Sequence, residues 1–193
     1  MHFNYFMEHL QGRFQLSPIY QQELKSRVKV MAVYKGQDLH FPGEICKYVY
    51  FIHSGFFRNY ILHDEQEETI DFAGQDKFIT SAVSFLNQVN TKEGIICVIP
   101  GIVIRINLYD WLALEDISPD FLRLGHIIMQ EYLLHSHHEK NLFRTANANE
   151  KYEYLCQQFP AIKNMVSGKD IASYLGITQP TFSNLLKNRL RKT

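Results

Sequence analysis

Four side chains toward the C-terminal end carry groups suited to reading a nucleic acid. Gln179, Thr181, Ser183 and Asn184 fall in "GITQPTFSNLLKNRLRKT", residues 176–193. Gln and Asn each present a donor beside an acceptor and can pair with adenine at two points, while Ser and Thr hydroxyls bond base edges or phosphates. Around them Lys169, Lys187, Arg189, Arg191 and Lys192 offer cations to the phosphate backbone, with Thr178 opening the run. No Arg stands in its first turns, so the commonest two-point contact to guanine is missing.

Side chains of this kind need a helix that presents them and a second helix that holds the first in place. "SGKD" at 167–170 has the form of a capping box, with Ser167 as N-cap and Asp170 reaching back, so a short helix is expected from Gly168 or Lys169 to Leu175. Gly176 supplies the turn. Thr178 can cap the next helix, and Pro180 sits in its first turn, where a missing N–H costs nothing. Two steeply crossing helices also require a small residue at their contact and apolar residues at fixed places. Ala172 is that small residue, four before Gly176, and Ile171, Leu175, Ile177, Phe182 and Leu185 fill the apolar places. The spacing predicts a helix-turn-helix; an ordinary helical hairpin has no need of Ala and Gly at this separation.

Upstream, "TANANEKYEYLCQQFP" predicts an amphipathic helix with Tyr152, Leu155 and Phe159 on one face, stopped by Pro160. Before it, "DFLRLGHIIMQEYLLHSHHEKNLF" has no Pro and repeats apolar residues at three and four. Phe121, Ile128, His135 and Leu142 share one heptad line, and Leu122, Met129, Ser136 and Phe143 the next. Packing on the chain itself would bury one side of that stripe, and a second copy of the helix would bury the other, so a homodimer through 119–143 is expected. From about Met31 to Trp111, "YVYFIHSGFFRNYIL", "EETIDFAG", "GIICVIPG" and "IVIRINL" predict many short strands, with turns at "KGQD", "FPGE", "HDEQEE" and "IPGI". That pattern suggests an antiparallel barrel or roll. "DKFITSAVSFLNQVNTKEG" interrupts it with small residues and reads as an inserted short helix and loop where a ligand could approach backbone.

Charge divides the chain the same way. Residues 1–143 carry 12 Lys/Arg against 17 Asp/Glu and residues 144–193 carry 8 against 3, so a net of −5 is joined to a net of +5. Such asymmetry fits a nucleic-acid-binding module on a neutral or acidic domain. No apolar run of about 18 residues is present, and the start lacks the basic-then-apolar order of a signal peptide, which argues for a cytoplasmic protein without a membrane partner. Cys46, Cys97 and Cys156 have neither ligand spacing nor an even count, so reduced thiols are expected. His63-Asp64-Glu65 could seed a cupin-like metal site, yet the rest of that signature is absent and "HDEQEE" reads more simply as an acidic turn. His135, His137 and His138 include a pair one helical turn apart, but read as solvated or packed helix residues. No catalytic residue and no metal site is expected.

Roll, long helix, helix-turn-helix is an order that resembles the Crp/Fnr family of bacterial transcription regulators. The residues that carry it are "YKGQDLHFPGE" (34–44), "YFIHSGFFRNY" (50–60) with its Ile-x-x-Gly-x-x-Arg, "FITSAVSF" (78–85) and "IASYLGITQPTFSNLLK" (171–187). The resemblance implies an α+β chain: a cyclic-nucleotide-binding-like β-roll (a double-stranded β-helix) with N-terminal helices over 1–118, a dimerisation helix over 119–143, and a helix-turn-helix domain over 144–193. It implies binding of double-stranded DNA at a two-fold symmetric site, with RNA polymerase as a further partner. It also places a small-molecule pocket among Phe72, Phe78, Thr80, Ser81, Ala82, Val83, Thr91, Lys92 and Tyr132.

Relatives that bind cyclic nucleotides carry Gly-Glu-Leu and Arg-Ser-Ala in that insertion, the Glu holding the ribose and the Arg the cyclic phosphate. Here Thr80, Ser81 and Ala82 replace the first, and "NTKEG" replaces the second, leaving Lys92 as the one substitute cation. A buried phosphate without its guanidinium is costly, which argues against cyclic AMP and leaves no cofactor expected. Family members also follow the recognition helix with a β-hairpin wing, and the basic tail over 187–192 is expected to take its place. A roll that binds ligand or protein after its DNA binding has decayed is the alternative reading.

Overall fold

The computed structural model describes residues 1–12 and 16–190. Arg191 and Lys192, two of the cations assigned above to DNA, lie outside the described residues. Helices α1 (His2–Gln11) and α2 (Pro18–Arg27) precede a sheet of β1 (Lys29–Val33), β2 (Asp38–His40), β3 (Tyr48–His63), β4 (Gln66–Ala73), β5 (Phe78–Ile79) and β6 (Glu93–Asn107). A short helix α3 (Ala82–Asn87) sits between β5 and β6, as the insertion predicts. Then come α4 (Leu108–Ile117), α5 (Pro119–Thr145), α6 (Ala148–Gln158), α7 (Ile162–Met165), α8 (Gly168–Leu175) and α9 (Gln179–Leu190).

The sheet is antiparallel in the order β1-β6-β3-β4, with β2 also on β6 and β5 also on β3. This is the expected roll, built differently from the expected many short strands. The predicted turn at "IPGI" is no turn: β6 runs through it, and β3 runs through Gly55 beside it. Both strands bend there because neither crossing residue has a side chain. A Cβ on Gly101 would stand 2.0 Å from the Ser54 carbonyl oxygen, and one on Gly55, held at φ +98°, would stand 2.8 Å from that of Ile99. The register of β3 on β6 shifts around Ser54 and Phe56, and Pro100 occupies the lapse in pairing, where its missing N–H is harmless.

β3 is apolar on both faces because it is covered on both. Tyr50, Ile52 and Phe57 pack inside the roll with Ile95, Cys97 and Val103. Val49 and Phe51 point the other way into a second cluster with Phe6, Leu10, Leu24, Leu114, Phe121 and Leu124, which ties the N-terminal helices and the start of α5 to the sheet. Each such side chain contributes about 1.5–3 kcal/mol by its burial.

α5 starts on Ser118, whose hydroxyl accepts from the Asp120 N–H, with Pro119 next. Of its two heptad lines, the first turns inward through buried Phe121, while Leu122 and Met129 of the second lie exposed, along with Leu133 at 64%. The core of the C-terminal module is continuous with the roll. Tyr152, Leu155, Ile162, Ile171, Leu175 and Phe182 form one cluster with Phe56 and Phe72 of the roll.

Candidate DNA-binding surface and the cavity behind it

Helix α8 begins as the sequence predicts, with the Ser167 hydroxyl accepting from the Asp170 N–H at 3.1 Å. Asp170 reaches back to that same hydroxyl, which donates to Oδ2 at 2.7 Å, instead of to backbone. Gly176 takes the left-handed conformation at φ 69°, and the Ile177 N–H then closes on the Ala172 carbonyl at 3.0 Å. The Thr178 hydroxyl lies 3.4 Å from the Thr181 N–H at the start of α9, and the Thr178 carbonyl accepts from Phe182. Ile171, Ala172, Leu175 and Phe182 are buried at the crossing.

This leaves Lys169, Thr178, Gln179, Thr181, Ser183, Asn184 and Lys187 exposed together. Asn188, absent from the sequence reading, joins them; it follows Thr181 by seven and lines the same groove between α6 and α9 with Asn184. Arg189 lines that groove too, but with its charge engaged by α6. It follows Phe182 by seven and so falls on the inward line of α9, where its Nη1 donates to Asn149 Oδ1 at 2.7 Å and Glu153 Oε1 at 3.0 Å and its guanidinium lies over the Tyr152 ring. Its charge braces α9 on α6.

α8 is docked on the roll. Arg58, the Arg of Ile-x-x-Gly-x-x-Arg, is buried, donates to Thr69 Oγ1 at 3.2 Å, pairs with Glu67, and reaches Asp170 Oδ1 at 3.2 Å. The Thr69 N–H donates to Ser173 Oγ at 2.9 Å, and the Tyr174 hydroxyl donates to Glu139 Oε1 on α5.

Behind α8 lies a cavity of about 170 Å³ between β4, β5, α5 and α6. Phe72, Phe78, Thr80, Ala82 and Tyr132 of the predicted pocket line it. Ser81, Val83, Thr91 and Lys92 do not. Ser81 is buried, its hydroxyl 3.2 Å from that of Thr91, so the two arms of the insertion close on each other. Val83 and Lys92 face outward. The space opens toward α5 instead, where Asp71, His135, Glu139 and Tyr174 converge, with Asn59 beside them. Sequence reading missed this group because its members come from four separate elements.

The electrostatics there are those of crowded acids. Burial and the neighbouring Asp71 raise the Glu139 carboxyl above its ordinary range, against the opposing pull of the Tyr174 hydroxyl and His135. Asp71 beside it raises the His135 imidazole despite partial burial, and burial next to Glu139 raises the Tyr174 phenol. His138 instead packs on the Tyr154 ring and His137 contacts Asn141. His63 ends β3 at the exposed hairpin and joins no cluster of ligating side chains among the described residues. The three Cys are free.

No family model and no curated protein matches the sequence of this chain. Solved structures do. The chain is similar to FixK2 from Bradyrhizobium japonicum (TM-score 0.74, 17% identity, 86% of this chain and 85% of that one). It is similar to a crp/fnr-family regulator from Eubacterium rectale (0.73, 15%, 92% and 85%) and to CLP from Xanthomonas campestris, a c-di-GMP responsive global regulator (0.71, 14%, 91% and 93%). The shared property is the fold: β-roll, long helix and helix-turn-helix in one order. No helix among the described residues is long and apolar enough to cross a membrane.

Proposed function

We propose that this chain, which has the fold of the Crp/Fnr regulators, is a sequence-specific DNA-binding transcription regulator that acts as a homodimer. One observation carries the reading. The second helix of a correctly capped helix-turn-helix presents Gln179, Thr181, Ser183, Asn184 and Lys187 outward while Phe182 anchors its other side. Those groups suit base edges and phosphates of a major groove. The exposed line Leu122, Met129 and Leu133 on α5 is the surface a second copy would cover, and two copies would address a two-fold symmetric site, with RNA polymerase as the further partner in the cytoplasm.

Cyclic AMP does not suit the cavity. Asp71, Asp76, Glu131 and Glu139 line it against Lys77 and His135, so a cyclic phosphate would meet carboxylates where it needs a guanidinium. Lys92, the one substitute cation, faces away. Any effector held in the cavity is a different molecule, and the proposed action is binding, not catalysis.

A mobility-shift titration against the DNA upstream of the protein's own coding sequence tests the reading. A complex that resists excess unrelated duplex supports it; binding that unrelated duplex removes equally well identifies a remnant whose DNA reading has decayed.

A further inference from the structure

Asp71, His135 and Glu139 have no task in DNA binding, yet β4 and α5 bring them together at one end of the cavity. We propose that they form a site for a divalent first-row transition-metal ion, with Asn59 Oδ1 as a further oxygen donor. The ion would sit where the roll, the long helix and the helix-turn-helix meet.

The geometry is close to that of a formed site. One ligating atom from each of the three residues lies within 4.8 Å of the others. His135 Nε2 stands 3.5 Å from Glu139 Oε2 and 3.7 Å from Asp71 Oδ1. Ligands held tetrahedrally at about 2.0–2.2 Å from a common ion stand roughly 3.4 Å apart, so closure needs only small side-chain shifts. His135 and Glu139 are one turn apart on α5 and Asp71 lies on β4, so both ligand-bearing backbones are rigid.

Charge points the same way. Among the described residues, the ion pairs of Asp71 and Glu139 run only to His135. One imidazole offsets one carboxylate at most, whereas a divalent ion offsets both. Asn59 supplies the independent sign. It is the cross-strand partner of Asp71 in the β3–β4 ladder, lines the same cavity, and holds its Oδ1 buried without a hydrogen-bond donor. A buried acceptor without a donor calls for a partner, and beside two carboxylates and an imidazole a cation supplies one. Tyr174 completes the arrangement from α8: its hydroxyl donates to Glu139 Oε1 and so leaves Oε2 toward His135. One imidazole with oxygen donors suits zinc, manganese or ferrous iron over the thiolate-seeking ions.

The test is calorimetry on the full chain after chelator treatment and dialysis, titrated with zinc chloride and separately with manganese chloride, without DNA. One ion per chain is expected for at least one metal. H135A, D71N and E139Q should each weaken binding at least tenfold, and H138A, one turn away on the same helix, should leave it unchanged. Thermal unfolding with and without metal accompanies each variant; the midpoint of the unaltered chain should rise with metal concentration and that of the folded E139Q protein should not. No stoichiometric ion, or binding kept by both H135A and D71N, overturns the site and assigns any uptake to the other histidines. Because the readout contains no DNA, this site and the regulator reading fail separately.

Discussion

Arg58 Nη1 on β3 lies 3.2 Å from Asp170 Oδ1 in the first turn of α8, so an ion pair whose Arg side chain is 7% exposed ties the helix-turn-helix to the roll. The same Asp170 also closes the cap of α8 through Ser167. One carboxylate therefore takes part both in docking α8 on the roll and in capping that helix.

Replacing that carboxylate separates the two roles. Asp170→Asn keeps a cap acceptor and should cost about 1–2 kcal/mol in urea denaturation, the loss of a charge-assisted bond. Arg58→Ala leaves Glu67 and Asp170 without their cation and should cost about 3 kcal/mol or more. The double variant should cost less than the sum; simple additivity would show that the two groups are not coupled.

On α9, exposure sorts the residues by role. Gln179→Ala and Asn184→Ala should each reduce discrimination between the preferred site and single-base variants by about 1–3 kcal/mol. Lys187→Ala should weaken all duplexes alike and lower the salt slope by about 1 per protomer. Arg189→Ala should leave that slope unchanged, since its charge is engaged with Glu153, and cost less than about 1 kcal/mol of stability at this half-exposed pair. Fluorescence anisotropy across a salt series distinguishes them.

Leu122, Met129 and Leu133 align within one face of α5. The double substitution Met129→Glu, Leu133→Glu should convert a sedimenting dimer to monomer at micromolar concentration while the circular-dichroism spectrum stays the same. A species that stays dimeric would place the seam elsewhere.

Gly101→Ala should be severe, because the new methyl must displace the Ser54 backbone and not a movable side chain. About 3 kcal/mol is expected in chemical denaturation. A cost under about 1 kcal/mol would mean that β3 and β6 do not approach as closely as described.

The helix-turn-helix was legible because its constraints are local: a cap, a small residue, a left-handed Gly and apolar places at fixed intervals all lie within 171–185. The contacts of Arg189 to Asn149 and Glu153 are not legible from α9 alone, since both partners lie on α6. The strands were legible as β but not as two long bent ones, since "IPGI" looks like a turn until Gly55 is placed across from it. His135 and Glu139 carry a local i,i+4 signal, whereas Asp71, Asn59 and Tyr174 reach them only through tertiary packing. That is why Phe72, Phe78, Thr80, Ala82 and Tyr132 of the expected pocket line the cavity, while its polar end against α5 was not read from the sequence.

Selection of duplexes from a randomised pool by the full chain tests the central claim most directly. One two-fold symmetric motif with half-sites about one helical turn apart should be enriched, and the enrichment should weaken when Gln179 and Asn184 are both replaced by Ala. A pool that emerges with no motif enriched over its input would contradict it.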